Sequence, residues 1–331
     1  MKAIVLFSGG LDSLLTTRIL QNQGIEVIGL NFATPFHDHS ESVQKTADVF
    51  GIELIIYNTG DEYIELIAHP RFGYGKSVNP CIDCRIEMCR VAKERMEQCG
   101  AGFVATGEVV GQHPNNQMQH QLNLIQRESG LDGYLVRPLS AKTMPPTQPE
   151  LQGWVDRKKL YRYTGRGRGR AIALAHRLGI KKIPQMSTCC FLCEKSYAPK
   201  VFDLFKHEPH PTNWDAEILN AGRQLRISPN VKMVLGRNEN HCKRLEKLFI
   251  RPDARSSILL IPESFQGPTA LLIGEEIEIQ EYIELAGTLI LRYTNPNKYD
   301  PSAATARIFR NSNQTVIPIV NNKEVKDFSI R

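Results

Sequence analysis

Six consecutive residues near the start of the chain, Ser8-Gly9-Gly10-Leu11-Asp12-Ser13, have the types and order of an anion-binding turn. They follow the apolar run Ala3-Ile4-Val5-Leu6-Phe7. A buried strand is therefore predicted to end here, two glycines to turn the backbone, and a helix to open with Asp12 and Ser13 in its first turn. Such a turn aims backbone N–H groups and the positive end of a helix at one spot. Glycine lets phosphate oxygens come close to that backbone. No lysine follows the glycines, so the loop is not of the lysine-bearing P-loop type.

The second chemical set is sulfur. Cys81-Ile82-Asp83-Cys84 follows Asn79-Pro80 at the predicted start of a helix, where the helix dipole favours thiolates. Cys189-Cys190-Phe191-Leu192-Cys193 comes about a hundred residues later. Three uses fit the pair of turns. A tetrahedral zinc site takes Cys81, Cys84, Cys190 and Cys193. A 4Fe-4S iron–sulfur cluster takes three of them and leaves one iron open. A persulfide relay takes one thiol from each turn, one carrying sulfur and the other resolving it. Cys89, Cys99 and Cys242 lie among apolar neighbours or on helices and read as small buried hydrophobes.

The third set is cationic. Residues 151–200 hold twelve Lys and Arg against only Asp156 and Glu194, while the whole chain has a net charge of +6. Arg157, Lys158, Arg166, Arg168 and Arg170 stand out in this stretch as contacts for the phosphates of a polyanion such as RNA. A solvated helix face with positive charge is the plain alternative.

These groups need a scaffold. Strands are predicted at Lys2–Phe7, Ile25–Phe32, Ile52–Asn58, Gly102–Thr106 and Tyr134–Pro138, with helices at Leu11–Gln23, Ser40–Phe50 and Asp83–Gln98 between them. Gly24 and Gly51 are placed to end the first two helices. Near-continuous apolar strands alternating with helices predict an α/β fold with a doubly wound parallel sheet. Ligands in such sheets sit beyond the carboxyl ends of the strands, where Ser8–Ser13, Asn31 to Thr34 and Thr106-Gly107-Glu108 converge. Lys142–Gln152 reads as a loop and Arg168–Leu178 as a helix. A smaller α+β unit is expected from residue 213 to 331, with short strands at Val231–Gly236, Ser257–Ile261, Ala270–Ile273 and Leu289–Tyr293. The chain of 331 residues has ordinary hydrophobic (41%) and charged (23%) content, enough for two cored units. It shows neither a transmembrane run nor a signal h-region, so a cytoplasmic protein is expected, in which eight cysteines stay out of disulfides.

The loop Ser8–Ser13 resembles the pyrophosphate loop of the ATP pyrophosphatase (PP-loop) superfamily, whose members adenylate a carbonyl oxygen with ATP. Taken with the cysteine turns, the chain is similar over roughly residues 1–200 to the tRNA thiouridine synthetases, in a 2-thiouridylase-like branch, and a domain of that kind is expected over residues 1–212. Pro80–Cys84, Thr106–Gln112, Arg137-Pro138-Leu139-Ser140 and the Gly165–Arg170 turn carry that likeness. The branch has arginine where this chain has His113, and a single cysteine where Cys189 and Cys193 flank Cys190. Residues 213–331, with Gly222-Arg223 and Leu235 to Asn240, resemble an NFACT-type predicted RNA-binding module.

The resemblance implies an adenine nucleotide alpha-hydrolase-like, Rossmann-like fold and ATP-dependent thiolation of a uridine in tRNA. Ser8, Gly9, Gly10, Asp12 and Ser13 would bind the pyrophosphate of ATP, Asp12 would meet Mg2+, and backbone near Asn31 and Gly107 would contact adenosine. Cys81, Cys84 and Cys190 would hold an iron–sulfur cluster or carry sulfur delivered by a cysteine desulfurase or sulfide. Glu108 and His113 are candidates by neighbourhood. Two rivals remain at this stage: a PP-loop enzyme acting on a small metabolite, and a zinc-stabilised RNA-binding protein with a vestigial loop.

Overall fold

In the computed structural model the first apolar run forms β1 (Lys2–Leu6), with Ala3 to Leu6 all buried. Residues 1–37, 39–181, 190–310, 313–320 and 326–330 are described. They group into two units, Met1–Glu194 and Lys195–Arg331.

After β1, the first unit runs through α1 (Leu11–Gln21), β2 (Glu26–Ala33), α2 (Ser40–Phe50), β3 (Glu53–Asn58), α3 (Asp61–Ala68), α4 (Cys81–Gln98), β4 (Phe103–Ala105), α5 (Gln119–Glu128), β5 (Leu135–Val136), α6 (Gln148–Leu151) and α7 (Gly169–Arg177). Its five strands are parallel in the order β3-β2-β1-β4-β5. Both faces are covered, which is why the strands are apolar along their length. Val5 packs with Leu14 and Leu15 of α1, Val43 of α2 and Leu174 of α7. Ile4 and Leu30 pack on the other face with Ile86 and Cys89 of α4 and Ile125 of α5. Gly51 ends α2 at φ +60, a left-handed position that glycine takes without strain. The order of the strands reverses between β1 and β4, and a crevice opens beyond that point in such sheets. The doubly wound sheet is as the sequence predicts.

The second unit holds α8 (Ala198–His207), α9 (Asn213–Ile218), β6 (Arg223–Ser228), β7 (Val231–Leu235), α10 (Glu239–Phe249), β8 (Ser257–Pro262), β9 (Ala270–Gly274), α11 (Gln280–Arg292), β10 (Thr305–Arg310) and β11 (Asn313–Pro318). Its strands are antiparallel in the order β11-β10-β8-β9-β7-β6. Trp214 of α9 and Leu245 and Leu248 of α10 cover one face against Val234, Leu259 and Leu271. Ile283, Ala286, Leu289 and Ile290 of α11 cover the other. The expected strand at Leu289–Tyr293 is thus the end of a helix; its apolar run is the buried flank of a stripe that starts at Ile283. The two units divide at residue 194, so that α8 falls in the second unit. Asp203 takes a two-pronged hydrogen bond from Arg226 of β6, at 3.1 and 2.7 Å. Among the described residues no helix is long and apolar enough to cross a membrane.

Candidate active site

The chain leaves β1 through Phe7, turns at Gly9 with φ +70, and enters α1 after Gly10 in extended conformation. No side chain caps α1, so the loop leaves its first-turn N–H groups to a ligand. Ser13 Oγ donates to the Gly10 carbonyl at 2.9 Å and lies 3.4 Å from Ser8 Oγ, which fixes the turn. Asn31 does not reach outward. Its Nδ2 donates to the Phe7 carbonyl at 3.0 Å, tying β2 to the end of β1, while its Oδ1 is buried without a hydrogen-bond partner among the described residues. Gly107 is a packing glycine. A Cβ there would stand 2.6 Å from the carbonyl carbon of Asp12 and 2.9 Å from the nitrogen of Ser13. Only glycine lets the loop after β4 lie against the first turn of α1.

The basic turn meets this loop. Gly165 N donates to the Val110 carbonyl at 2.8 Å, holding residues 164–170 beside the segment that follows β4. Asp12 Oδ2 accepts from Gln112 Nε2 at 2.9 Å and lies 4.0 Å from Arg168 Nη2. A cavity opens between Asp12, Gln112, Gly165, Gly167, Arg168 and Arg170. Arg168 and Arg170 therefore line the space in front of Asp12. Arg157 is committed elsewhere, to Glu150 at 2.5 Å and to the carbonyls of Ala141 and Met144 at 3.0 and 2.9 Å. Lys158 and Arg166 are exposed.

Behind the crevice, Glu108 is buried between two arginines, with Arg137 Nε at 3.0 Å and Arg85 Nε at 3.3 Å. Burial works against its charge, yet Arg137 and Arg85 hold its carboxyl below the usual carboxylate range. It therefore braces the site and is not a proton carrier. His113 is kept neutral to lower pH by partial burial and by the charges of Arg85, Arg166 and Arg168.

Arg85 also connects the crevice to the cysteines, since its charge is felt by Cys81 and by His113. Cys81 is the first residue of α4. A hydrogen bond with the Cys193 side chain is the main cause that brings its thiol down to about 6, helped by Asn79 Nδ2 at 3.0 Å and by Arg85. Cys84 is the opposite case: burial pushes its thiol up, and Tyr63 Oη donates to its Sγ at 3.2 Å. Cys190 lies within electrostatic reach of Cys84 and Tyr63. The two turns do come together, but among the described residues no group of three or more His, Cys, Asp or Glu side chains is placed to hold a metal ion. Cys189 lies outside the described residues. Cys89 is buried and pushed up to about 12, while Cys99 and Cys242 are half-buried. Gln112, Tyr63 and Arg85 carried no individual signal in the sequence, although Gln112 lies in a block that the resemblance quotes.

Residues 1–147 match the model of the tRNA methyl transferase HUP domain family, and residues 222–328 that of the NFACT protein RNA binding domain. Each model thus covers a different part of the chain, the first inside unit Met1–Glu194 and the second inside unit Lys195–Arg331. A tRNA-specific 2-thiouridylase MnmA of Nitratiruptor sp. is 33% identical over 117 residues, 32% of this chain and 34% of the relative. The enzyme of the same name from Enterococcus faecalis is 28% identical over 216 residues, 59% of this chain and 54% of the relative. The chain thus spans about a third to a half of the length of the curated relatives it matches. Among solved structures, a 4-thiouridine synthetase in complex with RNA and ATP aligns with 63% of this chain and 51% of its own, at 21% identity and a TM-score of 0.41.

Proposed function

We propose that this protein is an ATP-dependent tRNA sulfurtransferase that adenylates a uracil carbonyl oxygen and then replaces that oxygen with sulfur. The observation that carries the reading is the meeting in one unit of an uncapped, glycine-turned helix start with a low-pKa thiol, Cys81, that is hydrogen-bonded to Cys193. The names of the relatives support uridine in tRNA as the acceptor and favour C2 as the position.

ATP would lie with its phosphates at Ser8–Ser13. The Oδ2 of Asp12 is taken by Gln112, which leaves one carboxylate oxygen toward the cavity, a donor that suits Mg2+ bound through phosphate oxygens. When bound, that ion supplies charge neutralisation on the phosphates. The uracil oxygen attacks the α-phosphorus and pyrophosphate leaves, with the α1 N–H groups stabilising the developing charge. Sulfur arrives as a persulfide on one thiol of the Cys81–Cys193 pair. Its terminal sulfur attacks the activated carbon and AMP leaves. The second thiolate then attacks the inner sulfur, so that the thiolated base departs and a Cys81–Cys193 disulfide remains for a thiol reductant to reopen. This assignment moves the later partner from Cys190 to Cys193 and leaves Cys84 protonated. Lys158 and Arg166 are the exposed cations available to tRNA phosphates, together with the NFACT-type module.

The test is nucleoside mass spectrometry of bulk tRNA from cells with and without the gene, paired with pyrophosphate release by the purified chain. Loss of one thiolated nucleoside, with release stimulated by tRNA, is expected. An unchanged thionucleoside profile together with release driven by a small metabolite would overturn the tRNA reading.

A further inference from the structure

Three glycines alternate with three arginines from Gly165 to Arg170, and the cavity in front of Asp12 is built from this turn. Gly165 is explained by its backbone, at φ +76. Gly167 and Gly169 are not. Neither has a positive φ, and among the described residues a Cβ built on either would meet nothing within 4 Å. Neither strain nor packing calls for glycine there. Gly167 lines the cavity, where the lack of a side chain lets a ligand come close to the backbone.

The charges point to the same kind of ligand. Asp12 is the acidic residue lining the cavity, and its carboxylate is engaged by Gln112. Arg168 stands 4.0 Å from that carboxylate, beyond hydrogen-bond distance, with a third of its side chain exposed. Such a long, half-exposed pairing is weak, and a guanidinium gains more from two-pronged contact with a phosphate. Arg170 faces the same space, and the charges of Arg166 and Arg168 add to burial and Arg85 in lowering the pKa of His113.

We propose that Gly165–Arg170 is the second wall of the nucleotide site, in which Arg168 leaves Asp12 to pair with the β- and γ-phosphates of ATP instead of with the RNA backbone. This rests on the ATP reading above and adds which residues hold the leaving pyrophosphate.

The ligand chemistry, phosphate, is shared by nucleotide and tRNA, so the experiment separates them. Binding of MgATP, pyrophosphate, AMP and tRNA is measured for the wild type, Arg168→Ala and Arg168→Lys. Loss of one charge-assisted contact predicts a 10- to 100-fold weaker Kd for MgATP and pyrophosphate in Arg168→Ala. AMP, which lacks the β- and γ-phosphates, should bind within about two-fold of wild type, and so should tRNA. Arg168→Lys should recover part of the loss, which a merely misfolded turn would not do. Equal weakening of AMP and ATP, or weakening of tRNA with ATP intact, overturns the assignment. If the wild type binds no ATP at all, the parent reading falls and this one with it; if it binds ATP and Arg168→Ala matches it, only this assignment falls.

Discussion

Removing the Cys193 thiol probes the sulfur chemistry at its source, because that thiol is the main cause of the low pKa of Cys81. With Cys81 titrating at about 6, roughly three quarters of it is thiolate at pH 6.5. An ordinary cysteine near 8.5 is only about 1% ionised there. Complete loss of the shift would therefore lower the thiolate fraction about 75-fold. The more basic thiolate is also the better nucleophile, and a Brønsted coefficient of about 0.45 over 2.5 units returns roughly 13-fold. The net expectation for Cys193→Ala is thiol–disulfide exchange at Cys81 about six-fold slower at pH 6.5, faster than wild type above pH 9, with the two profiles crossing between about pH 7 and 8. Asn79 still donates to Cys81 in this variant, so six-fold is the upper bound and Asn79→Ala in addition should approach it. The assay is exchange with a small disulfide reagent from pH 5 to 10, read as the mixed disulfide on the Cys81 peptide by mass spectrometry. A wild-type midpoint near 8.5, or parallel profiles that never cross, would refute the thiolate at Cys81 and the pairing with Cys193.

Other consequences are as definite. Gly107→Ala places a methyl group against the backbone of Asp12 and Ser13, so about 1–3 kcal/mol of stability should go, with ATP affinity falling as α1 is displaced; intact ATP binding in isothermal titration would contradict the close approach. Glu108→Gln leaves Arg137 buried without its counter-charge, a loss of about 3–5 kcal/mol near neutral pH. Because the carboxyl is depressed in the folded chain, that loss is full above the ordinary glutamate pKa and shrinks as pH falls through the lowered value, which melting curves of both proteins from pH 3 to 7 would reveal. In the second unit Lys232 is buried in β7, and burial is the main cause that lowers it to about 8. The shift of about 2.5 units corresponds to a penalty of about 3 kcal/mol at pH 7, fully present below pH 8 and gone above the unfolded value near 10.4. Lys232→Met should therefore stabilise the unit at pH 7 by up to that amount and lose the gain that wild type shows between pH 8 and 10, as measured by urea denaturation at Trp214 in a Trp154→Phe background; a destabilised variant would show the lysine to be paired.

The parallel sheet was legible because each of its main strands is a bounded apolar run and because glycines stand where α1 and α2 must stop. The same rule misled at Leu289-Ile290-Leu291, where a continuous apolar run belongs to a helix whose stripe includes Ile283 and Ala286, seven and four positions earlier than Ile290. Period decides between strand and helix only when the window is long enough to see the earlier turns. Two helices left almost no trace. α5 buries only Leu122 and Ile125, and α3 three of eight residues. The ion pair of Asp203 in α8 with Arg226 in β6 likewise joins positions that no local pattern links.

The site divides along a different line. Glycine and cysteine have few reasons to recur in tight spacing, so Ser8–Ser13 and the two cysteine turns stood out from the sequence. Arginine has many. Arg157 and Arg168 look alike in a basic run, yet one is spent on Glu150 and two carbonyls while the other faces Asp12 across a cavity. Their difference is made by partners as distant as Asp12, which lies 156 positions away from Arg168 in the chain. Gln112 is the clearest instance: nothing about a lone glutamine predicts that its amide will occupy one oxygen of Asp12. That contact occupies one oxygen of the carboxylate, so the geometry of the proposed phosphate site depends on a residue whose type suggests no chemistry at all. Gln112→Ala should accordingly leave Asp12 free to rotate and weaken MgATP more than AMP, whereas equal loss of both would mean that Gln112 serves only to hold its own loop.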